Sequence, residues 1–369
     1  MVRARLGAEG LGREGVEAAA TSAKRSKMQG VRGFRAVVAC KDGKKDPARL
    51  ELRSDASLDD LPQVENKYGD MPKAIVKVAK STINYKDAMV CQGLPGVATG
   101  FPIVPGIDFA GEVESDDSGS FNKGDQVVLT GHYAGQHMNG GYAEYAQVPS
   151  EWLVPLPKSF SPEQAMIIGT AGFTAMQSII ALERKGCLPS KDVPILVAGA
   201  TGGVGSTAVA ILGKLGYTQV TASTGHAEEN ESWLKSLGAA EVIPRLEPAK
   251  PLDKELYAGA IDCVGGATTG AILPRMRYGG AVALSGVAAG PKFDATVFPF
   301  ILRGISLLGI DSVQLDMENR KEVWARLETD FPPQYFDKFQ TISLEELGDI
   351  SSAMLKGETI GRIVVDPSK

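Results

Sequence analysis

From Val193 to Gly216 the chain reads VPILVAGATGGVGSTAVAILGKLG, and no other stretch restricts the fold as strongly. An apolar run, Ile195 to Ala198, meets the glycines Gly199, Gly202, Gly203 and Gly205, and an Ala-, Val- and Leu-rich segment with helical spacing continues to Gly216. That order predicts strand, tight turn and helix. Glycine is needed there because the backbone must bend sharply and because a side chain would hold a phosphate away from the helix N-terminus. The unpaired N–H groups and the positive end of the helix dipole then form an anion site. A Gly-rich connection in another α/β fold would use the same residues. Here both flanks have the required type, which points to a dinucleotide pyrophosphate site on Gly202, Gly203, Val204 and Gly205.

The remainder of the chain divides around that motif, and 369 residues suit two lobes. From Phe34 onward short strands recur: FRAVVAC, KAIVKVAKSTI from Lys73, FAGEVE from Phe109, DQVVLT from Asp125 and YAEYAQV from Tyr142, punctuated by Gly and Pro. Such spacing without long helices predicts a small antiparallel barrel or sandwich. The period changes after LVPLP (Leu153 to Pro157), where Ser161, Pro162 and Glu163 offer an N-cap, a proline at the first helical position and an early acid. Within that helix Gly169 and Gly172 allow a close approach near Thr170. Past the glycine motif, strands and helices alternate: QVTAS, the helix around Trp233 to Leu237 closed by Gly238, EVIP, GAIDCVG, AVALSGV and ISLLGID. That alternation predicts a doubly wound parallel sheet. The chain ends in an amphipathic helix (Val323, Trp324, Leu327), a second one near Leu344 to Leu355, and a closing strand GRIVV that pattern alone does not place.

Composition narrows the function. The hydrophobic fraction of 43% and charged fraction of 22% are those of an ordinary globular chain, and no apolar run reads as long enough to span a bilayer, so no membrane partner is expected. A net charge of -5 argues against a nucleic-acid partner. Cys40, Cys91, Cys187 and Cys263 form no CxxC pair, and His132, His137 and His226 are scattered, so neither a disulfide framework nor a metal site is expected. Residues 1–33 read as a flexible tail. Its basic residues would suit organelle import, but Glu9, Glu14 and Glu17 interrupt that pattern, and a cytoplasmic location is the expectation.

The β-rich first lobe, the turn AGATGGVG in the second and the short return segment together resemble the medium-chain dehydrogenase/reductase superfamily. INYKDAMV, FPIVPGIDFAGEV, MIIGTAGFTAM, WLKSLGA and FPFILRGISLLGIDSV are similar, segment by segment, to its acrylyl-CoA reductase branch, also filed as quinone oxidoreductase-like proteins. The resemblance implies a GroES-like catalytic domain over 34–157 and 314–369 and a Rossmann domain over 158–313. It also implies NADPH as cofactor, an acyl-CoA thioester as substrate, reduction of acrylyl-CoA to propionyl-CoA, and a homodimer through Ile305 to Asp311. Zinc-dependent relatives place a His-Glu pair after the glycine where this chain has Gly106-Ile107-Asp108, and isoleucine cannot ligate a metal. Electrophilic help must then come from side chains or backbone donors.

In that superfamily the position of Asn84 and Tyr85 faces the nicotinamide and substrate cleft. Tyr85 is expected to contact the nicotinamide end or protonate the product, with Asn84 orienting its surroundings; packing at the lobe interface, with Asp87 capping a short helix, is the plainer alternative. Asp108 reads as a structural hydrogen-bonding group. Cofactor choice falls on Ser223, Thr224, Gly225 and His226 at the tip of the second parallel strand, where no acid stands to select NAD. Relatives usually carry Ser-Gly-Arg there, and His226 stands in the arginine's place. Arg362 is expected to offer a second cation to the cofactor phosphates, and Thr170, Cys263 and Gly286 to approach the cofactor. Arg275, Arg277, Arg303 and Arg320 read as surface charges that could meet coenzyme A phosphates. A quinone or enone reductase and a non-catalytic NADPH-binding protein stay open as other readings.

Overall fold

The computed structural model describes residues 31–62, 68, 70–337 and 339–369. The expected tail lies outside the described residues as far as residue 30, and the first strand already begins at Arg32. In the first lobe β1 (Arg32–Cys40) and β2 (Arg49–Ser57) form an antiparallel ribbon. Then come β3 (Lys73–Thr82), the short helix α1 (Tyr85–Cys91), β4 (Asp108–Asp116), β5 (Gln126–Thr130), β6 (Tyr145–Pro149) and β7 (Val154–Pro155). β2 does not stand out in the sequence, being charged and half-exposed, whereas α1 is the short helix that the plainer reading of Asp87 allowed, too short to show a period.

Helix α2 (Pro162–Lys185) opens on a capping box, with Gln164 N–H donating to Ser161 Oγ (3.1 Å) and Ser161 N–H to Gln164 Oε1 (2.9 Å), and it closes on Gly186 in the left-handed region. It breaks at Gly169 (φ 51°, ψ −163°). By length and composition α2 could cross a membrane, which corrects the expectation that no segment could. In this fold 83% of its most apolar stretch is buried inside the protein, so it acts as the central core helix.

The second lobe holds β8 (Ile195–Ala198), α3 (Gly203–Lys214), β9 (Val220–Ser223), α4 (Ala227–Leu237), β10 (Glu241–Ile243), β11 (Tyr257–Asp262), α5 (Ala267–Ile272), β12 (Met276–Leu284), α6 (Phe298–Arg303) and β13 (Ser306–Gly309). Its six strands are all parallel in the order β10-β9-β8-β11-β12-β13, so the order reverses direction beside β8, the strand that feeds the glycine turn. Ligands of open α/β sheets bind at that reversal, outside the carboxyl ends of the strands.

Helix α7 (Met317–Asp330) then leads back to the first lobe, where β14 (Gln340–Ile342), helix α8 (Leu347–Leu355) and β15 (Ile363–Val365) end the chain. The closing strand joins the first sheet beside β3, with Val364 opposite Thr82, and gives the order β14-β15-β3-β4-β5-β7, with β6 pairing the first half of β3 from Lys73 to Lys77. Its burial explains this placement: Ile363, Val365, Ile342 and Leu347 pack with Phe34, Val37 and Ile83 in one apolar cluster.

Candidate active site

The turn between β8 and α3 is shaped by its glycines. Gly199 has φ 73°, and a Cβ on Gly205 would lie 2.2 Å from Gly199 O, so only glycine lets the helix press against the turn. Among the described residues no acceptor meets the N–H groups of Gly203, Val204 or Gly205. These three donors at the N-terminus of a twelve-residue helix, with no side chain capping them, fit a pyrophosphate.

The expected 2′-phosphate site is altered by the structure. Ser223 is buried and its hydroxyl donates to Pro244 O (2.9 Å), while Thr224, also buried, shares a hydrogen bond with Thr201 Oγ1 (2.9 Å). The Ser223 proton is spent on Pro244 O, which corrects its expected role as a phosphate donor, and the Thr224 hydroxyl faces inward to Thr201. What the turn exposes is Gly225 and His226, the latter paired through Nδ1 with Glu229 Oε2 (3.1 Å). Over Gly225 lies a cation that sequence reasoning missed: Arg245 Nε comes within 2.8 Å of the position a Gly225 Cβ would take. Arg245 is exposed, with no hydrogen bond or ion pair among the described residues. The signal available was a basic residue two positions past the end of β10, the strand next to β9.

Later turns of the same sheet edge are packed back to back. A Cβ on Gly286 would stand 1.9 Å from Cys263 C, so the β11 and β12 turns touch through their main chains. Asp262 holds the first of them, accepting from Val264 N, Gly265 N (both 2.9 Å) and Thr269 Oγ1 (2.6 Å). Burial pushes the Cys263 thiol up, so it is a packed, unreactive group.

The opposite wall is built on Asp108, fully buried in β4. Its Oδ1 accepts from Gly131 N (3.1 Å) and Thr170 Oγ1 (2.5 Å), and its Oδ2 from Thr170 N (2.6 Å) and Asn84 Nδ2 (2.9 Å). The expected structural role of Asp108 thus has a definite geometry. The Thr170 hydroxyl points at Asp108, and its proton is not free for a cofactor. Asn84 is the N-cap of α1. Its amide also donates to Asp87 Oδ2 (3.1 Å), and its Oδ1 accepts from Arg362 Nη1 (3.2 Å). Asp87 closes the capping box and also accepts from Ile107 N (2.8 Å); burial first, then the Asp108 charge, push it up to about 7 against the pull of these donors.

Arg362 departs from expectation. It is only 4% exposed, and it donates to Ile167 O (2.8 Å), Met166 O (3.4 Å), Thr82 Oγ1 (2.9 Å) and Asn84 Oδ1, so its guanidinium is spent inside the protein. It still borders the cradle, since Nη1 lies 3.1 Å from where a Gly203 Cβ would be. Tyr85 follows Asn84 at the first turn of α1, 42% exposed and with no partner among the described residues, so its hydroxyl is available to a ligand. Arg275, Arg303 and Arg320 are not free surface cations. They cap carbonyls, with Arg320 buried against Thr130 O (2.7 Å) and over the Phe173 ring. Among the described residues no three His, Cys, Asp or Glu side chains gather as a metal cage.

Comparison with known proteins agrees with this geometry. Residues 70–158 match the model of the alcohol dehydrogenase GroES-like domain, and residues 203–329 match that of the zinc-binding dehydrogenases. Acrylyl-CoA reductase AcuI of Ruegeria pomeroyi is 43% identical over 341 residues, covering 90% of this chain and 99% of that protein. The solved yhdH oxidoreductase of Salmonella enterica in complex with NADP superposes with a TM-score of 0.84 at 40% identity, covering 90% of this chain and 99% of the other. Protein yhfP of Bacillus subtilis, solved with NAD bound, gives 0.83 at 42% identity with the same coverage.

Proposed function

This chain belongs to the medium-chain dehydrogenase/reductase superfamily, in its acrylyl-CoA reductase and quinone oxidoreductase-like branch, and from that membership we propose that it reduces acrylyl-CoA to propionyl-CoA with NADPH and without zinc. The observation that carries the reading is the pairing of an open N–H cradle at Gly203 to Gly205 with an unpartnered Tyr85 hydroxyl on the facing wall, joined through Asn84 and Arg362. NADPH, when bound, supplies the hydride that goes to the β-carbon while a proton goes to the α-carbon. The chain's own part is placement. Gly203, Val204 and Gly205 hold the pyrophosphate, and Arg245 with the Gly225 N–H receives the 2′-phosphate, with the exposed His226 beside them. Tyr85 hydrogen-bonds the nicotinamide end or delivers the proton, and Asn84 keeps it there.

The two domains of this reading are 34–157 with 314–369, and 158–313. Val297, Phe298, Ile301 and Leu302 lie exposed around α6 beside β13, the outermost parallel strand, and an apolar face next to a strand edge suits pairing with a second copy. A monomer at micromolar concentration would remove the homodimer. The deciding experiment follows NADPH oxidation with acrylyl-CoA beside a benzoquinone. The expected result is faster turnover of acrylyl-CoA, whereas preference for the quinone, or binding without turnover of either, overturns the reading. Tyr85→Phe is expected to lower kcat or cofactor affinity at least tenfold, and full retention of both takes Tyr85 out of the mechanism.

A further inference from the structure

The break in α2 leaves two sets of unpaired backbone groups in the middle of a buried helix, and two charges from other elements meet them. The carbonyls of Met166 and Ile167, left behind by the break, accept from Arg362, while the N–H of Thr170, where helical geometry resumes, donates to Asp108. A cation thus stands at the C-terminal end of the first half-helix and an anion at the N-terminal end of the second, each on the side that the helix dipole favours. Asn84 bridges the two charges, donating to Asp108 and accepting from Arg362, and Asn84 is the cap on which Tyr85 is mounted. The break itself needs glycine: φ at Gly169 is positive, and a Cβ there would lie 2.5 Å from Arg362 Nη2 and 2.9 Å from Asp108 Oδ2.

We propose that Asp108 is a positioning residue for the reduction, an anionic centre that fixes the start of α1, and with it Tyr85, against the broken turn of α2 and Arg362. Both of its oxygens are saturated, so it is no general base. Where a metal ion gathers lone pairs, this carboxylate gathers N–H and O–H donors, and the local order is obtained with the opposite polarity. A sharp consequence follows from the donors. Each oxygen accepts from one backbone N–H, Gly131 at Oδ1 and Thr170 at Oδ2, and a backbone donor cannot turn round. In either orientation the amide of Asp108→Asn would set its NH2 against one of them, so even this isosteric change breaks the centre.

The test rests on the proposed reductase activity and uses the full chain. Asp108→Asn is expected to lower kcat for acrylyl-CoA at least tenfold with KM changed less than threefold. Tyr85→Phe should then cost much less in that background than in the wild type, because its hydroxyl is already misplaced. Thr170→Val, which removes one of the four donors, should give a smaller loss in kcat that Thr170→Ser restores. A kcat for Asp108→Asn within twofold of wild type, or full additivity with Tyr85→Phe, overturns the proposal. Should Asp108→Asn fail to fold, the Thr170 pair decides: loss in Val with recovery in Ser supports the proposal, and wild-type kcat in Val overturns it. Should the wild type reduce no acrylyl-CoA, the functional reading falls by itself. The centre is then read from NADPH affinity by fluorescence titration, where Asp108→Asn is expected to bind at least fivefold more weakly through the loosened Arg362, and unchanged affinity overturns the proposal.

Discussion

The two walls of the cleft hold their ligand-facing groups by different means. On the second-lobe wall the groups that face a ligand are main-chain N–H donors at Gly203 to Gly205, fixed by a turn in which Gly205 presses directly on the backbone of Gly199 and Ala200. On the first-lobe wall the geometry is built around one carboxylate, that of Asp108 in β4, which gathers the Asn84 amide, the Thr170 hydroxyl and the backbone N–H groups of Gly131 and of Thr170 at the break in α2, while Arg362 joins through Asn84. A backbone site depends on a few consecutive residues, and a converging site depends on the tertiary fold. The first tolerates almost no added volume, while the second tolerates in addition no change in donor or acceptor sense.

The comparison can be broken by substitutions on either side. The largest effect is expected from Gly205→Val, where even the Cβ would approach Gly199 O to 2.2 Å. Loss of roughly 3 kcal/mol or more is expected from overpacking against backbone that cannot yield, together with loss of NADPH binding. Thermal unfolding checks it, and a normal melting temperature would mean that the turn is softer than its geometry implies. Gly169→Ala attacks the other wall through its backbone and should cost about 2 kcal/mol for a positive φ and a crowded Cβ. Because the strain falls on Arg362 and Asp108, kcat should fall with it; a stability loss with unchanged kcat would separate the broken helix from Tyr85.

Next in size is Arg245→Ala. Loss of a charge-assisted contact of about 2 kcal/mol weakens NADPH roughly thirtyfold and leaves NADH as it was. Equal effects on the two cofactors, measured by kcat/KM for each, would mean that Arg245 does not read the 2′-phosphate.

A pH measurement sharpens the first-lobe side. Asp87 is raised to about 7 in the fold, so between the unfolded carboxylate range near 4 and that value the folded state binds the extra proton. The stability from this group is therefore fully present at the acidic end of the window and is lost as pH rises toward 7, with a slope of at most about 1.4 kcal/mol per pH unit. Asp87→Asn should flatten that slope in denaturant melts taken across the window, and an unchanged slope would assign it to other groups. The smallest effect is expected from His226→Ala, an exposed ring paired only with exposed Glu229, worth about 0.5 kcal/mol or less in stability.

The sequence was most legible where function is carried by local backbone. The strand-turn-helix at Ile195 to Lys214, the alternation that follows it and the capping box of α2 were all readable, because glycine, proline and cap residues act within a few positions of themselves. The pair Asn84 and Tyr85 was readable as a position. It was not readable that Ser223 and Thr224 turn their hydroxyls inward, that Arg245 comes over Gly225 from the next strand, or that Arg362 is consumed by the break at Gly169. Each of these depends on a partner tens to hundreds of residues away.

By itself, then, the sequence determined that a phosphate-binding turn feeds a parallel sheet beside a β-rich lobe, since sharp turns and helix starts obey short-range sterics. Only the tertiary structure decided which charges stand free and which are spent. Asp108 and Arg362 are ordinary in sequence, and what they do follows from the two ends of a broken helix being brought to them in a buried place where every donor and acceptor must be matched.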